Sequence, residues 1–103
     1  MSNHPQEIFR KVMPETAEIF HELMTSTFKA GALSFREKEL IAIGVAVSMG
    51  CDDCMNHHIT LALAEGIKKE EVAEAMGVGF EMGVGRLYPP ILRMMSEHFG
   101  DND

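Results

Sequence analysis

Apolar residues in this chain recur at the spacing of an α-helix, and no stretch shows the sustained alternation of a half-buried strand. Ile19, Phe20, Leu23, Met24, Thr27 and Phe28 fall at i, i+1, i+4, i+5, i+8 and i+9, one stripe of a helix. Pro14 suits its first turn, where a missing N–H is harmless, and Gly31 is read as its end. A shorter helix precedes it, around residues 6–12. In "SFRE", Ser34 is placed as the N-cap of the next helix, with Glu37 completing a capping box. The run "REKELIAIGVAVSMG" starts charged and becomes apolar almost all round, which predicts burial on several sides. Ala42, Gly44 and Ala46 allow neighbouring backbones to approach it. Val45 and Val47 would suit a strand, but the capping box and the length favour helix.

A further helix starts near Cys51 or Asp52 and ends at Gly66, with Met55, His58, Ile59, Ala62 and Leu63 as its stripe. Another forms from "EEVAEAMGVGFEM", broken by Gly83 and Gly85. The last carries Pro89 and Pro90 in its opening turn and buries Tyr88, Ile91, Leu92, Met95 and Phe99. The tail "GDND" is expected to fray. Together these patterns predict an all-α protein, a compact orthogonal bundle of five or six helices forming one domain over residues 1–103.

A domain this small buries only a modest core, yet 46% of its residues are hydrophobic and 24% charged. The surplus points to apolar surface shared between subunits, so a homo-oligomer is expected. The net charge of -7 and nine scattered basic residues argue against nucleic acid, whose phosphates need clustered Lys and Arg. The longest apolar run, residues 40–50, is about half of what a membrane span needs. "MSNHPQEIFRK" lacks the basic start and apolar core of a signal peptide. A cytoplasmic protein with no membrane partner is expected.

The stretch "GCDDCMNHH", residues 50–58, holds both cysteines and two of the five histidines. In a reducing compartment such a pair is rarely a structural staple and more often catalytic or metal-binding. A helix starting at Cys51 puts Cys51, Cys54 and His58 at i, i+3 and i+7, on one face. The helix N-terminus favours a thiolate, and His58 lies one turn beyond Cys54, placed to take its proton. A thiolate is the nucleophile of thiol–disulfide exchange, and the Cys-x-x-Cys spacing lets one sulfur resolve the other. Cys51 is expected to be the more exposed sulfur, meeting an outside disulfide, and Cys54 the deeper one beside His58. Two other readings stand next to this one. His58 lies on an apolar stripe and suits a hydrogen-bonded core histidine. Two Cys and two His also suit zinc, although His57 and His58 diverge on a helix, so a ligand such as His21 or Glu39 would have to be recruited. His57 is expected to be solvated.

Glu39, followed after eleven residues by C-D-D-C-M-N-H-H, lies within "REKELIAIGVAVSMGCDDCMNHHITLALAEGIKKEEVAEAMGVG". Over about residues 34–85 this pattern resembles the alkylhydroperoxidase D-like branch of the carboxymuconolactone decarboxylase family. The resemblance implies an all-helical fold and a homo-oligomer, often a trimer or hexamer. It implies that Cys51 and Cys54 are the redox pair, His58 the proton acceptor and Glu39 the carboxylate of a relay. One departure stands out: better-studied peroxidase members carry a histidine just before the second cysteine, where this chain has Asp53. An anion there opposes thiolate formation at Cys54. "GVGFEMGVG" does not match G-x-G-x-x-G, so no cofactor is expected. The electrons would come from a separate thiol donor, such as a thioredoxin-like protein or a lipoyl group. The expected activity is reduction of disulfides or hydroperoxides. The alternatives are a metal-binding or structural oligomer, and a cofactor-free lyase of the lactone decarboxylase type.

Overall fold

Six helices follow one another along the chain in a computed structural model that describes residues 5–100: α1 Pro5–Val12, α2 Pro14–Phe28, α3 Phe35–Met49, α4 Asp52–Ala64, α5 Lys69–Gly85 and α6 Tyr88–Phe99. The described residues hold no strand, so the all-α expectation stands. The chain divides into two compact units at residue 35. Of the tail, Gly100 caps α6, and residues 101–103 lie outside the described residues.

The first unit contains α1 and α2, separated by Met13 alone. Met13 leaves the helical region (φ -132°, ψ 65°) because the ring of Pro14 clashes with a helical residue before it. Its N–H still bonds Phe9 O at 2.7 Å, and its carbonyl accepts from Ala17 N–H at 2.9 Å. Helix α2 ends at Phe28, three residues before the expected Gly31. Lys29 turns extended there, its N–H on Thr25 O at 3.2 Å, and Gly31 instead closes a turn onto Leu33 O. No residue of α2 is buried, and Ile19, Phe20, Leu23 and Met24 all stand exposed. The stripe read from the sequence exists, but it is not buried within this unit.

The second unit holds the core. Ile43, Ala62, Ile67 and Val72 are its buried centre, with Leu40, Ile59, Ala75 and Met76 packed around them. Helix α3 buries Glu39, Ile43 and Ala46, one face at i, i+4 and i+7, while Ile41, Val45 and Met49 are exposed. Leu40, Ala42, Gly44, Val47 and Ser48 are partly buried, so the second half is covered over most of its circumference and leaves one exposed strip. Where α3 meets α5, a side chain on Gly79 would collide with the Gly44 carbonyl, and one on Gly83 would lie 3.4 Å from Ser48 Cα. These glycines admit the backbone of α3, and α5 runs unbroken through Gly83 to end at Gly85. Close packing thus overrides the weak helix propensity that suggested a break. In α6, Pro89 and Pro90 sit in the first turn as expected. Tyr88, Ile91, Leu92, Met95 and Phe99, however, are exposed, and no residue of that helix is buried. Their spacing marks a face that is surface in the single chain.

Two glycine turns bracket α4. Gly50 (φ 67°) and Gly66 (φ 91°) adopt the left-handed conformation that side chains disfavour. Each closes a Schellman motif. After α3, Cys51 N–H bonds Ala46 O and Gly50 N–H bonds Val47 O, both at 3.0 Å. After α4, Ile67 N–H bonds Ala62 O and Gly66 N–H bonds Leu63 O. Glu71 ties down the start of α5: its carboxylate accepts from Lys68 N–H at 3.1 Å and pairs with Arg36 of α3.

Candidate redox site

Cys51 closes one helix and opens the next. Its N–H ends the α3 cap on the carbonyl of buried Ala46, and its own carbonyl accepts from Met55 N–H at 2.9 Å. It is the N-cap of α4, and its Sγ accepts the Cys54 N–H at 3.2 Å. That N–H is one of the donors left unpaired at a helix start. A Ser or Asp usually satisfies it; here a sulfur does. Cys54 lies in the first turn of α4, and the two Sγ atoms are joined in a disulfide, with Cα atoms 5.3 Å apart. Both residues are partly buried, so burial does not rank one as the exposed sulfur and the other as the deep one.

One turn past Cys54, His58 directs Nδ1 at Glu39 Oε1, 2.9 Å away. Glu39 is 1% exposed and the His58 side chain 20%. A carboxylate only accepts, so toward an ionised Glu39 it is Nδ1 that donates, and this bond orients the ring. Burial of a carboxylate is unfavourable unless it is partnered, and among the described residues no buried side-chain polar atom lacks a hydrogen bond. Glu39 is thus buried although it stands among charged neighbours in the sequence. Its burial follows from its register with Ile43 and Ala46 on the covered face of α3.

All four residues singled out in the sequence lie in the second unit: Glu39 on α3, Cys51 at the cap, Cys54 and His58 on α4. His57 is exposed, as expected, but its ring also meets that of His58 edge-on, with centroids 4.8 Å apart and planes at 77°. Asp52 and Asp53 fill the first turn of α4 and face solvent. His21, once a candidate zinc ligand, lines a cleft of about 640 Å³ in the first unit with Phe9, Arg10 and Phe20. Among the described residues no three His, Cys, Asp or Glu side chains converge as an ion's ligands. Nor is any described helix long and apolar enough to cross a membrane.

Fold and site together define an all-helical protein built on a cysteine pair that caps a helix beside a His–Glu pair. The chain belongs to the carboxymuconolactone decarboxylase family, whose model matches residues 14–86. An uncharacterized protein of Cupriavidus necator is 36% identical over 75 residues, 73% of this chain and 66% of its own length. A second, "uncharacterized protein 4 in cox locus" of Paracoccus denitrificans, is 38% identical over 71 residues, 69% of this chain and 64% of its own. The matched region thus spans slightly under two thirds of these curated relatives. Among solved structures, a protein of Methanobacterium thermoautotrophicum superposes with a TM-score of 0.78 at 32% identity, covering 84% of this chain and 97% of that one. A carboxymuconolactone decarboxylase family protein of Legionella pneumophila gives 0.72 at 33% identity, covering 92% and 87%.

Proposed function

We propose that this protein is a thiol-dependent oxidoreductase in which Cys51 and Cys54 cycle between dithiol and disulfide. One observation carries the reading: the two sulfurs bond to each other across a helix cap, with a helix N–H on Cys51 Sγ and a carboxylate-held imidazole one turn away. A donor N–H and the positive end of a helix favour sulfur as thiolate. His58 is the proton acceptor for the thiol, and Glu39 is the positioning residue that holds its ring.

With a disulfide substrate, one cysteine thiolate attacks a substrate sulfur, the substrate S–S bond breaks, and a substrate thiolate leaves and is protonated. The second cysteine attacks the mixed disulfide, closing Cys51–Cys54 and releasing the other half as a thiol. With a hydroperoxide, the thiolate attacks the terminal oxygen and the O–O bond breaks. The alcohol leaves with a proton, and a sulfenic acid remains. The second thiol then displaces water from it. In either case two electrons pass from the dithiol to the substrate. A separate dithiol donor, thioredoxin-like or lipoyl, returns them and is itself oxidised. Asp53, between the cysteines, favours disulfide exchange over peroxide attack. The exposed apolar stripes of α2 and α6 support assembly as a homo-oligomer, a trimer or hexamer. The protein is read as cytoplasmic.

Turnover of a disulfide or hydroperoxide with a dithiol donor tests the reading. Cys51→Ser and Cys54→Ser are each expected to lower it by about a thousandfold or more, with helix content by circular dichroism retained. Wild-type rates in either variant would overturn the proposal. A lactone decarboxylase activity that survives loss of both sulfurs would put the lyase alternative in its place.

A further inference from the structure

The disulfide closes a ring whose two inner residues, Asp52 and Asp53, are both exposed. Neither has an ion-pair partner among the described residues. Acidic side chains suit the first turn of a helix, and α5 carries the same arrangement with Glu70 and Glu71. What sets Asp52 and Asp53 apart is their place between the two joined cysteines, each next in sequence to one of them, in a chain already at a net charge of -7. We propose that Asp52 and Asp53 make the cysteine pair selective for the charge of the thiol that reduces it, favouring cationic and neutral thiols over anionic ones. This rests on the redox reading above and names the partner class of that same site.

The physical reason lies in the species that attacks. A thiolate must reach one sulfur; the S–S bond then breaks, and the other cysteine leaves as a thiolate. A second donor thiolate attacks the mixed disulfide, so the donor departs oxidised and both cysteines end reduced. Each carboxylate sits on a residue adjacent to a cysteine, within roughly one screening length of the incoming group, about 10 Å at 0.1 M salt. A unit charge about 8 Å from two carboxylates in water changes a rate by about fivefold. The attacking form of cysteamine is neutral overall, that of 2-mercaptoethanol carries one negative charge, and that of 2-mercaptoethanesulfonate carries two. A donor whose thiols stand among neutral or basic groups is therefore matched to this site. An anionic thiol of the glutathione type is disfavoured.

The test follows reduction of the oxidised 103-residue chain by cysteamine and by 2-mercaptoethanesulfonate at fixed pH, with rates expressed per thiolate. The ratio of the two rates cancels any change in the cysteines' own reactivity. In 10 mM salt the wild-type ratio is expected to exceed that of the Asp52→Asn/Asp53→Asn variant by about tenfold, and in 500 mM salt the difference should largely vanish. Glu74→Gln/Glu97→Gln removes the same formal charge from exposed positions elsewhere and should keep the wild-type ratio. Equal ratios in wild type and the Asp variant, with both proteins reduced normally, overturn this proposal and leave the redox reading intact. An equal drop in the Glu control also overturns it, since net charge rather than these two residues would then govern. A disulfide that neither thiol reduces in any variant removes the redox reading itself, and this inference with it.

Discussion

The second unit buries Ile43, Ala46, Ala62, Ile67 and Val72, whereas α2 of the first unit buries nothing despite an equally regular apolar stripe. Both regions obey helical periodicity, so the contrast lies in what covers the stripe. In the second unit other helices of the same chain do so: α3, α4 and α5 each contribute buried residues. In the first, Ile8, Phe9, Ile19, Phe20, Leu23 and Met24 are left uncovered by the unit's own helices. A patterned helix announces that a face is to be covered, but not by whom. The candidate site lies on α3, on α4 and at the cap between them, among the helices that supply that cover. This suits a constellation that has to hold an imagined substrate atom to within fractions of an ångström.

The contrast is open to direct attack. Ile43→Ala strikes the covered region and should lower unfolding free energy by about 2–5 kcal/mol, read from denaturant titration. A loss below 1 kcal/mol would mean that the packed core is not where it is drawn. Glu39→Gln keeps an acceptor oxygen for His58 Nδ1 but removes the carboxylate charge. Turnover with a dithiol donor is expected to fall by about tenfold to a hundredfold, with the KM for the donor little changed. The smallest effect on the monomer belongs to the uncovered region. Phe20→Ser with Leu23→Ser should shift its stability by about 0.5 kcal/mol or less, while lowering the assembly state seen in sedimentation. A wild-type protein that sediments as a monomer, or a double variant that unfolds like Ile43→Ala, would erase the distinction between the two regions.

Much of the site is legible in the sequence. Cys51, Cys54 and His58 share a face by spacing alone, and Gly50 marks a turn just ahead of them. The burial of Glu39 is less legible, because it sits in the charged start "REKE" of α3; its register with Ile43 and Ala46 carries that information. The contact of His57 with His58 depends on side-chain rotamers, which spacing does not encode. Gly83 misled for another reason. Propensity is a local quantity, whereas its role is to admit the backbone of α3 at Ser48. The apolar faces of α2 and α6 are legible in register, but what covers them is not, because periodicity is blind to which surface lies opposite.

The enclosure of Glu39 ties assembly of the site to maturation of the chain. A carboxylate shut away from water beside Ile43 is tolerable only once His58 has arrived to meet it. Conformers in which α4 docks with its imidazole astray leave an orphaned anion in the interior and are depopulated. Molecules that have finished folding are thereby also molecules whose histidine is correctly aimed.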